Sequence, residues 1–476
     1  MIIEKFAGKG FFYRFFYHFL LWNHLREQII HQMEEKLRHN HLNRDRDRFP
    51  LKVQEDKFIM ARNMIRAVDR GLREGLISRH VWTKFIFSFL RIYFNNGEKI
   101  SSFRKKYGQN PPSFLTLSPT RLCNLRCSGC YANSSHSERQ SLDFEVASRI
   151  IREQKELWGS HFTVISGGEP FAYRNQGRTF FDLLAEHADS FFLIYTNGTL
   201  IDRKTAQRLA DLGNATPAIS VEGFEKETDA RRGKGVFKKI LRAFENLRSE
   251  GVPFGISVTA TRENAELILN EELIDYYFHQ QGALYGWIFQ YMPIGRGYTL
   301  ELAVTAEQRR WMYEKTWEYI REEGLFLADF WNCGTVSNGC ISAGKPGGYI
   351  YIDWNGNVLP CVFNPFTVEN IIDTYRSGGN LNDVLFSEFF LEIRKWQHEY
   401  ALNGPPQRMG NVLVPCAIRD HYRMMYDLIK KTEARPADED AAQAIVDSQY
   451  REGLIEFDRK INKLMDEIWK RDYIKI

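Results

Sequence analysis

Three cysteines with short, unequal spacing are the residues in this chain best suited to chemistry. They lie in Cys123-Asn-Leu-Arg-Cys127-Ser-Gly-Cys130-Tyr131, directly after the apolar run 113–119. An iron–sulfur cubane takes one cysteine thiolate per iron, so three thiolates leave one iron free to chelate an amino and a carboxylate group of a small molecule. Zinc is the alternative, but it prefers four ligands, commonly in two spaced pairs. The chain contains no second Cys-x2-Cys, so the loop favours a cluster over zinc.

The elements that must position this loop alternate between short apolar runs and helical patterns. The runs predict buried strands near 114–118, 162–166, 191–195, 217–221, 254–260 and 286–292. Helical patterns near 141–158, 179–189, 201–213, 235–250, 264–280 and 305–323 separate them. Six such repeats predict a parallel sheet with the active site at the carboxyl ends of its strands.

A glycine pair follows the second predicted strand, in Ser166-Gly167-Gly168-Glu169-Pro170. Glycines there let the backbone come close to a ligand. Exposed carbonyl groups and the Glu169 carboxylate could then accept hydrogen bonds from a substrate ammonium. The motif is weak alone and stronger because it comes one strand–helix unit after the cysteines.

Together, the cysteine loop and the glycine motif resemble the signature of the radical S-adenosylmethionine (radical SAM) enzymes. The resemblance implies that Cys123, Cys127 and Cys130 hold a [4Fe–4S] cluster whose open iron binds SAM. One electron would cleave SAM to methionine and a 5′-deoxyadenosyl radical, which removes hydrogen from an unactivated carbon. The resemblance also implies an α/β fold, the family's partial (β/α)6 TIM-like barrel.

The family's SAM contacts carry over onto strand ends in the same order along this chain. The implied contacts are Tyr131, Ser166, Gly167, Gly168, Glu169, Pro170, Asn197, Ser220, Glu222 and Pro293. The Gly-Gly-Glu-Pro motif would bind the amino group of SAM, Ser220 and Glu222 its carboxylate or ribose, and the segment at Pro293 its adenine. Each weaker match would also suit an ordinary polar strand end or turn.

Four further cysteines follow the predicted barrel. Cys340-x15-Gly356-x4-Cys361 resembles the start of a SPASM/twitch extension, which holds an auxiliary four-iron cluster. Asn355-Gly356 predicts a hairpin turn that returns Cys361 toward Cys340. Cys416 would supply another ligand from a later loop, so a second [4Fe–4S] cluster is implied.

The match to that extension is incomplete, because the later Cys-x2-Cys-x5-Cys group is missing. Cys333 could be the fourth ligand of the auxiliary cluster. It could equally be a free thiol, with the fourth iron bound by His421, water or substrate. Buried thiols without any metal are the alternative for all four cysteines.

Four regions are predicted: a basic, aromatic-rich helical region at 1–110, the barrel at 111–323, the auxiliary cluster domain at 324–425 and a helical tail at 426–476. Within the tail, an acidic and Ala-rich linker at 433–444 precedes a helix whose apolar stripe includes Leu454, Ile461 and Met465. Residues 1–110 hold 22 Lys and Arg against 11 Asp and Glu, a net charge of +11 that leaves −7 for the rest of a +4 chain. Aromatic residues recur at helical spacing from Phe11 to Trp22. They predict either a helix in an anionic membrane interface or a helix packed on the body.

Bulk composition is that of a folded protein, 43% hydrophobic and 26% charged. Seven cysteines, three of them clustered, indicate a reducing compartment rather than disulfides. No signal peptide, membrane-spanning segment or nucleic-acid module is predicted. We therefore expect a cytoplasmic protein, either free or peripheral on the inner face of the membrane, with a partner such as flavodoxin or ferredoxin to donate electrons.

Three functions are consistent with these features. The N-terminal region suggests C–H activation or C–C coupling on a membrane lipid acyl chain. Modification of a peptide or protein is the alternative enzyme function. A non-catalytic iron–sulfur or zinc scaffold is the third, although such a scaffold would not need the intact Gly-Gly-Glu-Pro motif. The sequence identifies no residue for hydrogen or proton transfer.

Overall fold

A computed structural model describes residues 23–43, 48–85 and 97–474 of the chain. Its strands are β1 Phe114–Leu117, β2 Phe162–Ile165, β3 Arg174–Asn175, β4 Arg178–Thr179, β5 Phe191–Thr196, β6 Ala215–Val221, β7 Gly255–Ala260, β8 Gly286–Gln290, β9 Leu327–Asp329, β10 Tyr349–Ile352, β11 Asn357–Leu359, β12 Phe366–Thr367, β13 Glu369–Asn370 and β14 Arg435–Pro436.

The α-helices cover both flanks and the strand connections. They are α1 Asn23–Asn43, α2 Leu51–Arg73, α3 Gly97–Tyr107, α4 Phe144–Trp158, α5 Phe180–Glu186, α6 Arg203–Leu212, α7 Glu225–Arg232, α8 Val236–Glu250, α9 Glu271–Ile274, α10 Ala306–Glu318, α11 Gly334–Ser337, α12 Ile371–Arg376, α13 Glu388–Ala401, α14 Tyr422–Lys431, α15 Glu439–Val446 and α16 Ser448–Ile468. Segment 79–85 is also helical.

One large sheet organises the molecule, in the order β13-β11-β10-β1-β2-β5-β6-β7-β8-β9. Every neighbouring pair from β10 to β9 in this order is parallel. The strands are short, apolar and buried because helices cover the outside of the sheet, as parallel sheets require. The predicted α/β fold with a TIM-like parallel barrel is therefore confirmed.

The six predicted strands are all present, and two more parallel strands flank them. β9 pairs with β8 at one end, and β10 pairs with β1 at the other in the register Phe114↔Tyr349. The predicted hairpin is formed by β10 and β11, with Tyr351 opposite Leu359. The sheet thus continues across the boundary predicted at residue 323.

The N-terminal helices are part of the same body as far as they are described. On α2, Asp56 is fully buried, accepts from Arg321 and from the Tyr473 hydroxyl, and so joins α2 to the C-terminus. Asn63 on the same helix donates to the carbonyls of Ile320 and Leu325. The aromatic stripe predicted from Phe11 to Trp22 lies outside the described residues.

The C-terminal tail is more helical than expected. The segment 433–444 was predicted to be a linker, yet α15 begins inside it, because Asp438 caps the helix by accepting from the Ala441 N–H and alanine favours helix. Leu454, Ile461 and Met465 on α16 are buried, so the predicted apolar stripe packs on the body.

No helix among the described residues is long and apolar enough to cross a membrane.

Candidate active site

The cysteine loop, residues 123–130, lies at the carboxyl end of β1 and is held by one arginine from α7 and one from the loop after β8. The Arg231 guanidinium donates to the carbonyls of Ser128 and Gly129. Arg296 donates to the Cys127 carbonyl at 2.6 Å. Because guanidinium groups hold its backbone, the loop is organised without any ligand.

The glycine turn after β2 is in direct backbone contact with the segment that leads into this loop. The Gly168 N–H donates to the Thr120 carbonyl at 2.8 Å. A Cβ atom on Gly168 would lie 2.2 Å from the Leu122 carbonyl oxygen, so only glycine fits there. The Gly167 N–H donates to the Tyr131 hydroxyl at 3.2 Å, which ties the aromatic residue after the last cysteine to the same turn.

Glu169 is fully buried, and its carboxylate serves the protein itself. One oxygen accepts from the Thr196 hydroxyl and the Phe171 N–H, and the other accepts from the Asn197 N–H. Burial raises the pKa of Glu169 to about 7, against the effect of these donors. The group predicted to accept a substrate ammonium therefore also fixes the turn after β5, from which the Asn197 amide reaches the Cys123 sulfur at 3.7 Å.

Glu222 follows β6 and is paired with two arginines. Its Oε1 atom accepts from Arg231 and Arg232, while Oε2 is buried with no hydrogen-bond partner among the described residues. A buried carboxylate oxygen without a donor is costly. Glu222 is not among the residues that line the central cavity of the barrel, so its contact with SAM stays a prediction.

Burial governs the protonation of the cysteine loop. It raises the pKa of Cys123 to about 12, with a further contribution from Glu169, and it raises the pKa of Cys127. The thiolate form therefore needs compensating positive charge, which a bound metal centre supplies.

A second group of cysteines gathers near the start of β10, at the amino ends of the parallel strands. β11 runs antiparallel to β10 and carries Cys361 back to the start of β10, where the Val362 N–H donates to the Tyr349 hydroxyl at 3.5 Å. Cys340, Cys361 and Cys416 all act electrostatically on Tyr349, and we call these three the Cys340 group. Burial raises the pKa of Cys361 to about 12, with Cys340 adding to the effect.

Cys333 and His421 stand apart from the Cys340 group. Burial raises the pKa of Cys333, and the charged groups that act on it are Asp329, Asp56 and Arg321. The His421 Nε2 atom is 2.9 Å from the Val414 carbonyl oxygen, to which it donates.

One cavity of about 470 Å³ joins the two ends of the barrel, and we call it the lumen cavity. The cysteine loop lines it, and so do the cysteines of the Cys340 group and Cys333. Predicted contacts on its wall are Tyr131, Ser166, Gly167, Gly168, Asn197 and Ser220. The other four predicted contacts, Glu169, Pro170, Glu222 and Pro293, are not among the wall residues. Aromatic side chains from the strand starts, including Phe114, Phe162 and Phe326, form much of the remainder.

Across residues 23–43, 48–85 and 97–474, no three His, Cys, Asp or Glu side chains are arranged to hold one metal ion. A cubane takes one thiolate per iron, so it spaces its ligands more widely than a single ion does.

Several buried polar residues of this site could not be found from sequence. Lys345 donates to the Cys340 carbonyl at 2.8 Å, and Asp420 accepts from the Cys416 N–H at 3.0 Å. Gln290 and Asp329, at the ends of β8 and β9, line the lumen cavity and bond to each other. No sequence motif marks these residues, and Gln290 and Asp329 are brought together from two different strands.

Comparison with known proteins supports the resemblance to radical SAM enzymes that the cysteine loop and the glycine motif carry. The sequence model of the radical SAM superfamily matches residues 117–269. Mycofactocin maturase MftC of Mycolicibacterium smegmatis is 31% identical over 309 residues, covering 61% of this chain and 74% of that protein. Fe-coproporphyrin III synthase of Methanosarcina barkeri is 28% identical over 173 residues, 36% of this chain and 43% of that one.

The fold has a solved counterpart in Streptococcus suis SuiB bound to S-adenosylmethionine. The TM-score is 0.52 at 20% identity, over 68% of this chain and 76% of SuiB. The sequence match to the maturase extends over most of that protein, and the matched segment 117–269 contains both the cysteine loop and the glycine turn. The chain therefore belongs to the radical SAM superfamily and is a radical SAM enzyme.

Proposed function

We propose that this protein is a radical SAM maturase that removes a hydrogen atom from a peptide substrate in the lumen cavity. The observation that carries the proposal is the position of the cysteine loop, fixed against the glycine turn and opening into an aromatic-lined cavity. The similarity to a mycofactocin maturase supports a peptide substrate.

In this proposal Cys123, Cys127 and Cys130 hold the SAM-binding [4Fe–4S] cluster. When bound, cluster and SAM supply a carbon radical able to take hydrogen from an unactivated C–H bond. The contribution of the protein is to orient the ligands and to exclude water: Ser166, Asn197 and Ser220 on the cavity wall would contact SAM, and the aromatic walls would keep solvent from the reacting carbon.

The Cys340 group is proposed to hold an auxiliary [4Fe–4S] cluster at the far end of the same cavity. The three cysteines line the same cavity, with Cys361 buried and Cys340 and Cys416 half-buried. The buried ammonium of Lys345 lies beside Cys340, with a pKa lowered by burial to about 8. A cationic group in this position suits an anionic cluster held by thiolates. Cys333 is proposed to be a free thiol, because its charged neighbours are carboxylates and an arginine rather than the Cys340 group.

An acyl chain is the second candidate substrate, because the same aromatic and apolar walls would accommodate hydrocarbon. It would reach the enzyme from an anionic membrane, through the basic region 1–110. Co-sedimentation with anionic liposomes, of the full chain and of a chain lacking residues 1–22, tests this route. If neither chain sediments with the liposomes, an acyl chain is excluded as the substrate.

Anaerobic reconstitution with iron and sulfide counting tests the cluster assignments. We expect about eight irons per chain in the wild type, and about four after Cys123, Cys127 and Cys130 are all replaced by alanine. The same replacement must abolish the 5′-deoxyadenosine that the wild type forms from SAM under dithionite.

The Cys340 group and Cys333 provide a matched pair of variants. Replacing Cys340, Cys361 and Cys416 by alanine should lower the count to about four irons, whereas Cys333→Ala should leave about eight. A wild type with about four irons would make the Cys340 group structural, and an iron loss in Cys333→Ala would make that residue a ligand. Zinc without iron, and no cleavage of SAM, would overturn the proposed function.

A further inference from the structure

Lys345 is a buried cation without a carboxylate partner. The residue is 7% exposed, and no Asp or Glu of the described segments acts on its charge. Among the residues that the structure describes, Cys340 is the one titratable group whose charge acts on this ammonium. A buried charge without a counter-ion is costly, so the position requires a negative charge nearby.

The ammonium group is bound to the segment that leads into Cys340. Its three N–H groups have three acceptors, the carbonyl oxygens of Ser337 at 3.3 Å, Asn338 at 3.0 Å and Cys340 at 2.8 Å. These bonds hold the turn at the end of α11 and place the positive charge beside Cys340. Carbonyl oxygens satisfy the hydrogen bonds of the ammonium, but they carry no net charge to balance it.

The Cys340 group can supply the missing charge only as thiolates. The Ser342 hydroxyl, 3.1 Å from the Cys340 sulfur, is neutral. Cys361 and Cys416 each experience the charge of Cys340, so adjacent thiolates would repel one another unless a metal centre binds them. Protonated thiols without a metal would leave Lys345 unbalanced. The buried lysine therefore favours a metal centre over buried thiols.

We propose that Lys345 is the counter-ion and positioning residue of an anionic metal centre held by the Cys340 group, and that its charge favours the reduced form of that centre. The inference rests on the auxiliary cluster of the proposed function and deepens it. Reduction adds one electron, supplied by an external one-electron donor, and so places one more negative charge beside a fixed positive charge.

An anaerobic redox titration followed by electron paramagnetic resonance tests the charge. The full chain with Cys123, Cys127 and Cys130 replaced by alanine is the parent protein, and dithionite is the electron donor. Lys345→Gln keeps N–H donors but removes the charge, so the equilibrium constant for reduction should fall about tenfold, which is about 59 mV for one electron. Lys431→Gln is the control, because Lys431 is 53% exposed and pairs with Glu392, and it should leave the constant unchanged.

Melting temperatures of the metal-free and reconstituted forms test the counter-ion role separately. Lys345→Met removes the charge and all three N–H donors. The gain in melting temperature on reconstitution should be smaller in Lys345→Met than in the parent, because the cation is unbalanced without the metal centre and balanced with it. A lysine with a structural role alone would lower both melting temperatures equally.

The remaining outcomes also decide the inference. An unchanged reduction constant in Lys345→Gln, an equal shift in Lys431→Gln, or an undiminished gain in melting temperature would each overturn it. If Lys345→Gln binds no iron, an unchanged melting temperature of its metal-free form supports the inference, and a lowered one overturns it. These failures, with about four irons in the parent, leave the proposed function intact, whereas a parent without iron removes the auxiliary cluster and the inference together.

Discussion

Asp420→Asn should destabilise the protein strongly, because it breaks an ion pair that has no access to water. Arg309 and Asp420 are both 0% exposed, and Asp420 also accepts from the Cys416 N–H at 3.0 Å. Removing one charge leaves the Arg309 guanidinium buried without its counter-ion, which costs about 3–5 kcal/mol. Arg419 is also buried, and neither of its terminal nitrogens has a hydrogen-bond partner within the described part of the chain. As a second cation it cannot replace the lost counter-ion.

The expected shift in melting temperature follows from the length of the chain. Unfolding entropy is about 2.1 cal/mol/K per residue, so 476 residues give about 1 kcal/mol/K, and the loss corresponds to about 3–5 °C. Differential scanning calorimetry on metal-free protein under anaerobic, reducing conditions measures it. The matched control is Asp373→Asn, whose ion pair with Arg376 is 73% and 76% exposed and should give no resolvable shift.

Equal melting temperatures for Asp420→Asn and Asp373→Asn would refute this reasoning. Such a result would mean that the Cys416 loop relaxes enough to admit water to Arg309. The Arg309–Asp420 ion pair would then orient the Cys416 loop rather than stabilise the fold.

Two further changes test the packing at the glycine turn and the electrostatics of the barrel exterior. Gly168→Ala should cost about 1–3 kcal/mol and most SAM cleavage, because its Cβ would meet the Leu122 carbonyl oxygen at 2.2 Å. Gly97→Ala is the control: no described residue lies within 4 Å of the added Cβ, so calorimetric stability and 5′-deoxyadenosine yield should not change. Burial, with Lys155 nearby, lowers the pKa of His187 from its ordinary 6.5 to about 4. The unfolded chain therefore binds this proton first, so the unfolding free energy should fall as pH drops from about 6.5 to about 4 and then level off. Denaturant titrations across this range should show a shallower slope in His187→Asn, and an unchanged slope would exclude His187 as the cause.

The parts of this fold that the sequence predicts are those specified by local pattern. The six barrel strands are short apolar runs, and each is followed by an amphipathic helix. This regular alternation is enough to identify them as strands. The turn at Gly356 has φ near +81°, and Asn355-Gly356 predicts it because few other residue pairs allow a hairpin there.

The parts that the sequence does not predict depend on pairing between distant segments. β9 has three residues and ends in Asp329, so its apolar run is too short to identify as a strand. β10 was predicted as half of a hairpin, but its parallel register with β1 joins Phe114 to Tyr349 across more than two hundred residues. Local propensity contains no information about such a pairing, which is selected by burial of both faces.

The same distinction applies to the polar residues of the site. The cysteines and glycines could be predicted because their chemistry depends on close spacing in sequence. The chain of contacts from Asp420 through Arg309 and Asn332 to Asp329 and Gln290 joins five residues from separate elements. Each member is buried and bonded to the next, so truncating one leaves its neighbour with an unmet charge or hydrogen bond. Because this chain connects the Cys416 loop to the wall of the lumen cavity, we expect a disturbance at Asp420 to reorient Gln290 as well as to destabilise the fold. A double-mutant cycle of Asp420→Asn with Gln290→Met should therefore give a coupling energy above about 0.5 kcal/mol in calorimetry, and additive losses of stability would show that Gln290 is held by Asp329 alone.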